Sequence, residues 1–207
     1  MNYELAYKIG FHPWEDAADH DPFVETFSEL LDREEQGQEP PFGRALDLGT
    51  GSAIWAVELA RRGWQVTGID VVDRALDRGR ERVREEGVDV RLVHGDVTEL
   101  EAAGVGTGYD LLLDTGTFHG LTEAERSEMG AAVTAAAAPQ ATLLLLVWPR
   151  RRRPLIRGAD RDEVRAAFPQ WIITDVVPSH FEVPAILEPI LRPDEHWYRL
   201  ERRGQAT

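Results

Sequence analysis

The sequence predicts an α/β fold: a doubly wound, mostly parallel sheet in a single domain, behind an N-terminal helical segment. Three observations predict it. Short apolar runs alternate with helix-period stretches from Arg44 to Trp148. A glycine turn joins the first run to the helix after it. The last two apolar runs, 171–177 and 195–200, have only a loop between them, which suits an antiparallel hairpin. With 207 residues the chain is long enough for one domain with a proper core and short for two.

Composition excludes several classes of function. The net charge of -14 argues against a nucleic-acid partner, because phosphate binding needs a basic surface. No apolar run approaches the length of a membrane span, and MNYELAYKIG is not a charged-then-apolar leader. No cysteine is present, so disulfides, thiolate nucleophiles and Cys-ligated zinc are out. These features fit a cytoplasmic enzyme without a membrane partner. Nothing in the sequence bears on oligomeric state.

In chain order, residues 1–20 place Tyr3, Leu5, Tyr7, Ile9, Phe11 and Trp14 among polar residues, without strand alternation. A short helix and loop are expected, forming either a flap or a plain covering arm. Asp21 and Pro22 make a helix start, and Phe23, Val24, Phe27, Leu30 and Leu31 share one face. Polar 32–43 reads as a loop. The expected division is a helical lid segment over 1–39 and the main domain over 40–207.

The stretch RALDLGTGSAIWAVELA, 44–60, reads as strand, glycine turn, helix, with Gly63 ending the helix. Glycine lets the backbone turn sharply and lets a ligand approach. The helix N-terminus adds free N–H groups and partial positive charge. A nucleotide-like cofactor is therefore expected at Gly49, Thr50 and Gly51. A dinucleotide site wants G-x-G-x-x-G, and Ile54 stands where its third glycine would be. Asp47 also precedes the turn; an acid there suits an ammonium-bearing ligand and repels pyrophosphate. A tight turn without a ligand is the plain alternative.

Trp64–Ile69 is the second strand, ending at Asp70, about 20 residues past the turn, where a carboxylate can hold a ribose diol. Asp73 is placed to cap the next helix, lined by Ala75, Leu76, Gly79 and Val83 and stopped by Gly87. Val88, Val90 and Leu92 alternate into a third strand, which leads to His94-Gly95-Asp96-Val97. An Asp96 that caps the turn that follows is the plain alternative. YDLLL, 109–113, is a fourth, doubly buried strand ending at Asp114 in DTGTFHGL. Thr122 and Glu125 form a capping box for a helix running to Pro139. Ala141–Trp148 is the fifth strand. Asp160 and Glu163 cap a further helix. The basic run Arg150–Arg153 is a solvated loop or a contact for an anionic acceptor.

D-L-G-T-G-S-A resembles motif I of the class I S-adenosylmethionine (SAM)-dependent methyltransferases, with Ala53 at the third glycine. G-x-D at Gly68–Asp70 resembles their motif II, Gly95-Asp96-Val97 motif III and the Asp114 segment motif IV. The resemblance covers roughly 40–202 and implies the seven-stranded Rossmann-like methyltransferase sheet, order 3-2-1-4-5-7-6. It implies SAM as cofactor and S-adenosylhomocysteine (SAH) as product. It puts Asp47, Gly49, Thr50, Gly51, Asp70, Val71, Asp96, Val97, Asp114 and Thr115 at the cofactor, with Asp96 on the adenine amino group and the Val97 N–H on a ring nitrogen. Trp14 matches, loosely, a tryptophan ahead of motif I in methyltransferases of the thiopurine and tellurite-resistance type, where it helps close the cofactor site. The N/D-P-P-Y signature of nucleobase amino methylation is absent.

Methyl transfer from a sulfonium asks mainly for in-line placement and loss of water. A base is needed only when the acceptor must lose a proton, and His119, in the loop after the fourth strand, is the candidate; a structural histidine in the turn is its alternative. The six histidines are scattered, so no metal is expected. Small size and acidity point to a small-molecule acceptor. The rival readings are a non-catalytic SAM- or nucleotide-binding module and an NAD-dependent oxidoreductase.

Overall fold

The computed structural model describes residues 21–150, 157–180 and 194–204. Its elements in order are α1 (Asp21–Glu35), β1 (Arg44–Leu48), α2 (Ile54–Arg62), β2 (Gln65–Asp70), α3 (Asp73–Glu86), β3 (Val90–His94) and β4 (Tyr109–Asp114). A 3-10 turn (Phe118–Gly120) follows, then α4 (Glu123–Ala136), β5 (Ala137–Val147), α5 (Arg161–Ala167), β6 (Trp171–Pro178) and β7 (His196–Arg202). The strands form one sheet in the order β3-β2-β1-β4-β5-β7-β6, the order implied by the resemblance. β7 is antiparallel to both neighbours, and the pairings from β3 to β5 are parallel.

Alternation along the strands divides the core. Leu46, Leu48, Leu112, Leu143 and Leu145 join a cluster with Phe118, Met129, Val133 and Val164. Ala45, Leu111, Leu113, Leu144 and Leu146 face the other way and pack with Phe23, Phe27, Trp55 and Leu59. The sheet is thus covered on both faces, which is why its central strands read as unbroken apolar runs.

The N-terminal helix is present, and its described part is core. Phe23, Phe27 and Leu31 are fully buried, with the Phe27 ring stacked on Trp197 at 5.6 Å. It runs a turn past the Leu31 end expected from the apolar spacing, because Glu34 and Glu35 have partners. Glu34 receives Arg199 through both carboxylate oxygens and Thr142 through its hydroxyl, and Glu35 receives Arg62 and the Trp64 indole. A polar ending recognised only by distant residues leaves no local periodic signal.

Three local expectations need correction. Asp73 does not cap α3; Val72 holds the N-cap position, and no side chain supplies the cap bond. The helix after Thr122 ends at Ala136, before Pro139, because Ala137 already pairs with Tyr109 and the Gly108 N–H bonds the Ala136 carbonyl. β5 accordingly starts at Ala137, ahead of the expected Ala141. Among the described residues, no helix is long and apolar enough to cross a membrane.

Candidate active site

The carboxyl ends of β1, β2 and β4 come together where the chain order of an open sheet reverses. The glycine turn leaves β1 and is tied to β2: the Gly49 and Thr50 N–H groups both donate to the Ile69 carbonyl, at 2.8 and 2.9 Å. Gly49 and Gly51 take left-handed φ values of 71° and 54°, and Ala53 follows at 61° without being glycine. A side chain at Gly49 would meet the Thr117 hydroxyl at 1.9 Å, so the turn touches the loop after β4 at that point. Gly68 is needed for a similar reason, since a Cβ there would lie 2.6 Å from the Thr50 hydroxyl.

Asp70 is nearly buried and braces this turn. Its Oδ2 accepts from the Gly51 N–H and its Oδ1 from the Val72 N–H, both at 2.8 Å. Burial raises its pKa, and the backbone donors offset part of that rise. Beside it, Val71 is 58% exposed, an apolar side chain at the strand tip free to meet a flat ring.

Asp47 has no exposed surface. Oδ2 accepts from the Thr50 hydroxyl at 2.6 Å, while Oδ1 is buried without a hydrogen-bond partner. Burial, aided by the nearby Asp114 and Asp70 charges, pushes its pKa up to about 7. An orphaned buried acceptor is costly unless something pairs with it. The ammonium of a bound SAM would be such a partner, so the residues present fit that cofactor. Held there, SAM supplies an activated methyl on its sulfonium.

Asp114 is also fully buried. Its Oδ1 accepts from the Gly116 and Thr117 N–H groups at 2.6 and 2.7 Å, and its Oδ2 from the Phe118 N–H at 3.0 Å. Burial still lifts its pKa to about 6. It therefore shapes the loop that Thr115 and His119 belong to. Asp96 is exposed and accepts from the Thr98 N–H and hydroxyl at 2.9 and 2.8 Å, so it caps the following turn; Val97 beside it is buried. Trp14 lies outside the described residues.

His119 stands half-buried with its ring 5.9 Å from that of Trp148, which leaves β5. Its Nδ1 faces the Trp148 N–H at 3.5 Å. Burial pushes the imidazole down to about 4, and the neighbouring Arg126 charge works in the same direction, so the ring is neutral near pH 7.

Arg126 is the residue that sequence reading missed, and Glu163, which forms the expected capping box with Asp160, is its ion-pair partner. Arg126 projects from α4 and is almost fully buried. It donates to the Phe118 carbonyl at 3.1 Å, the His119 carbonyl at 3.1 Å, the Gly158 carbonyl at 2.6 Å and Glu163 at 2.8 Å. Glu163 also receives Arg150, while its Oε2 accepts from the Asp160 N–H at 2.9 Å. A signal was present: Arg126 shares helical spacing with Met129 and Val133, and a charge on a core face asks for partners. A hollow of about 320 Å³ lies elsewhere, at the amino end of β6, lined by Arg165, Phe168, Trp171 and Arg203 among others, and holds none of these residues. Among the described residues, no His, Asp and Glu group is arranged to hold a metal.

The methyltransferase-domain family model matches residues 45–140. The chain is 29% identical over 161 residues to 2-heptyl-1-hydroxyquinolin-4(1H)-one methyltransferase of Mycobacteroides abscessus, covering 73% of this chain and 67% of that one. It is 38% identical over 55 residues to ribosomal RNA small subunit methyltransferase C of Alcanivorax borkumensis, where the match spans 27% of this chain and only 17% of the relative. Its fold matches the Burkholderia thailandensis 1,6-didemethyltoxoflavin-N1-methyltransferase, solved with 1,6-didemethyltoxoflavin and SAH, at TM-score 0.71 and 19% identity over 99% of this chain and 86% of that one. The matched methyltransferase domain, the seven-stranded order shared with class I SAM-dependent methyltransferase structures and the methyltransferase relatives support a SAM-dependent methyltransferase, with SAM as methyl donor and SAH as product.

Proposed function

We propose that this enzyme transfers the methyl of SAM to a small, planar heteroaromatic acceptor bearing a protonated oxygen or nitrogen, in the cytoplasm. The observation that carries the reading is the His119–Trp148 ring pair, 5.9 Å between centroids, on the segments after β4 and β5; the first of these meets the glycine turn at Thr117. Flat rings beside a methyl donor suit a flat acceptor. The acceptors named for the quinolone and toxoflavin relatives are of that kind.

On the cofactor side, Asp47 answers the ammonium, Asp70 the ribose hydroxyls and Val71 the adenine face, with Asp96 and the Val97 N–H at the adenine edge. Gly49, Thr50 and Gly51 supply the close backbone, and Asp114 with Thr115 supports the turn from β4. We assign residues 1–20, with Trp14, the role of a lid over the cofactor. His119 acts as a neutral hydrogen-bonding group. Its Nδ1 faces the Trp148 N–H, and a hydrogen bond to the Leu146 backbone helps hold the ring beside the end of β5. A pKa of about 4 makes it a weak base, so placement is its larger share.

The test is production of SAH from labelled SAM with 2-heptyl-1-hydroxyquinolin-4(1H)-one or 1,6-didemethyltoxoflavin. Turnover above the acceptor-free rate supports the reading. SAH binding without turnover on either compound overturns the acceptor class and favours a binding module.

A further inference from the structure

The loop after β4 is gripped from two sides. Asp114 takes its N–H groups at Gly116, Thr117 and Phe118, and Arg126 gives protons to its carbonyls at Phe118 and His119. The same guanidinium reaches Gly158, in the segment between β5 and α5, and Glu163 in the first turn of α5. One planar fork thus satisfies four acceptors on three separate segments, which a lysine ammonium could not reproduce. Arg126 also lies over the Phe118 ring, 5.2 Å from its centroid. None of these contacts touches the glycine turn, Asp47 or Asp70.

We propose that Arg126 is the positioning residue of the acceptor site: its buried guanidinium, anchored by Glu163, fixes the backbone that carries His119 against the segment beyond β5. The proposal rests on the acceptor site lying at His119 and Trp148. Arg126 acts through His119 and contacts no reacting atom. Loss of the fork lets the Phe118–His119 backbone move relative to the cofactor, and a displacement of about 1 Å can lower a transfer rate by about 10²-fold.

The experiment compares the full chain with Arg126→Lys, Arg126→Met and Glu163→Gln. Three readings are taken: SAH affinity by calorimetry, the His119 Cε1 proton–carbon resonance, and the kcat and KM for 2-heptyl-1-hydroxyquinolin-4(1H)-one. Positioning predicts SAH affinity within about twofold of the parent and a moved His119 resonance in both Arg126 variants, with kcat down by about 10²-fold. Glu163→Gln should fall between parent and Arg126 variants, since it leaves the carbonyl contacts intact. An unmoved His119 resonance in Arg126→Lys overturns the proposal, as does SAH affinity that falls in step with kcat. If Arg126→Met fails to fold, the lysine variant decides. If the parent turns over no acceptor, the acceptor reading fails, while the His119 resonance and SAH affinity still decide whether Arg126 holds that loop.

Discussion

The carboxyl edge of the sheet has two halves held together by opposite charges. On the cofactor half, buried acids collect N–H groups: Asp70 from Gly51 and Val72, and Asp47 a hydroxyl from Thr50. On the proposed acceptor half, a buried base feeds carbonyls, Arg126 to Phe118, His119 and Gly158, opposite the N–H groups that Asp114 holds. A carboxylate can lose its charge by taking a proton, and Asp47 sits near that point. A guanidinium cannot, so Arg126 must keep its partners. The cofactor half is therefore open to adjustment by pH and ligand, whereas the Arg126 fork on the proposed acceptor half is a fixed clasp.

The largest expected effect tests that contrast through pH. Asp47, with its pKa raised to about 7, binds its proton more tightly folded than unfolded. Its contribution to stability is thus fully present below about pH 4 and is lost as pH rises through 7. Asp114, raised to about 6, adds the same sign over a narrower window. His119, lowered to about 4, has the opposite sign: it binds its proton less well when folded, so its share is lost as pH falls from 6.5 to 4. Asp47→Asn should therefore stabilise the ligand-free protein at pH 7–8, on the order of a few kcal/mol, while weakening SAH. Denaturant melts of parent and variant at pH 5 and pH 8 measure it. A stability difference that does not grow with pH would mean that Asp47 is already ionised and paired.

The two halves also differ in how far they could be read from the chain. The cofactor half is local: a strand, a glycine turn and an acid at the next strand tip follow one another within 44–70, and the backbone dictates residue types there. The turn and the place of Asp70 at the end of β2 were legible for that reason. The acceptor half is assembled from contacts 7, 8, 32 and 37 residues away from Arg126. No local spacing encodes them. Asp114 shows the limit from the other side. Its place at a strand end was evident, but its complete enclosure by its own loop depends on Phe118 and the core beneath.

Next in size is Asp70→Ala. Its removal withdraws the proposed ribose partner and frees the Gly51 and Val72 N–H groups. Loss of one charge-assisted bond contributes about 1.5–3 kcal/mol, so SAH affinity should fall roughly 10- to 10²-fold. Because Asp70 braces the turn, amide exchange at Gly51 should also quicken, while the His119 resonance stays in place. A change in His119 without a change at Gly51 would contradict the division into halves.

A smaller effect is expected on the acceptor half from Gly130→Ala. A methyl at Gly130 would lie 1.9 Å from the Ala167 carbonyl, where α4 meets α5. Helix propensity favours alanine by about 1 kcal/mol. Overpacking against backbone costs typically 1–3 kcal/mol, and a collision this close belongs at the upper end. Net destabilisation of roughly 1–2 kcal/mol should appear in thermal melts, with SAH affinity unchanged. Unaltered melting would show that the two helices can separate freely, and the clasp between them would lose its rigid seat.

The smallest effect concerns Ala53, where the glycine turn holds a residue that glycine would suit better. Its φ of 61° is left-handed, which costs an L-residue roughly 1–2 kcal/mol. Ala53→Gly removes that strain. It also frees the unfolded chain, at about 0.5–1 kcal/mol, and deletes a fully buried methyl that packs over Gly79, about 0.8 kcal/mol. The terms nearly cancel, and stability should change by less than about 1 kcal/mol. Gly49→Ala offers no such cancellation. Its φ of 71° and its contact with the Thr117 hydroxyl both oppose a side chain, and that contact is where the cofactor turn meets the acceptor loop. Ala53→Gly should therefore leave both SAH binding and the His119 resonance as they are, whereas Gly49→Ala should disturb both. If Gly49→Ala moved the SAH affinity alone, the two halves would be independent across that contact, and the acceptor loop would owe its position entirely to Asp114 and Arg126.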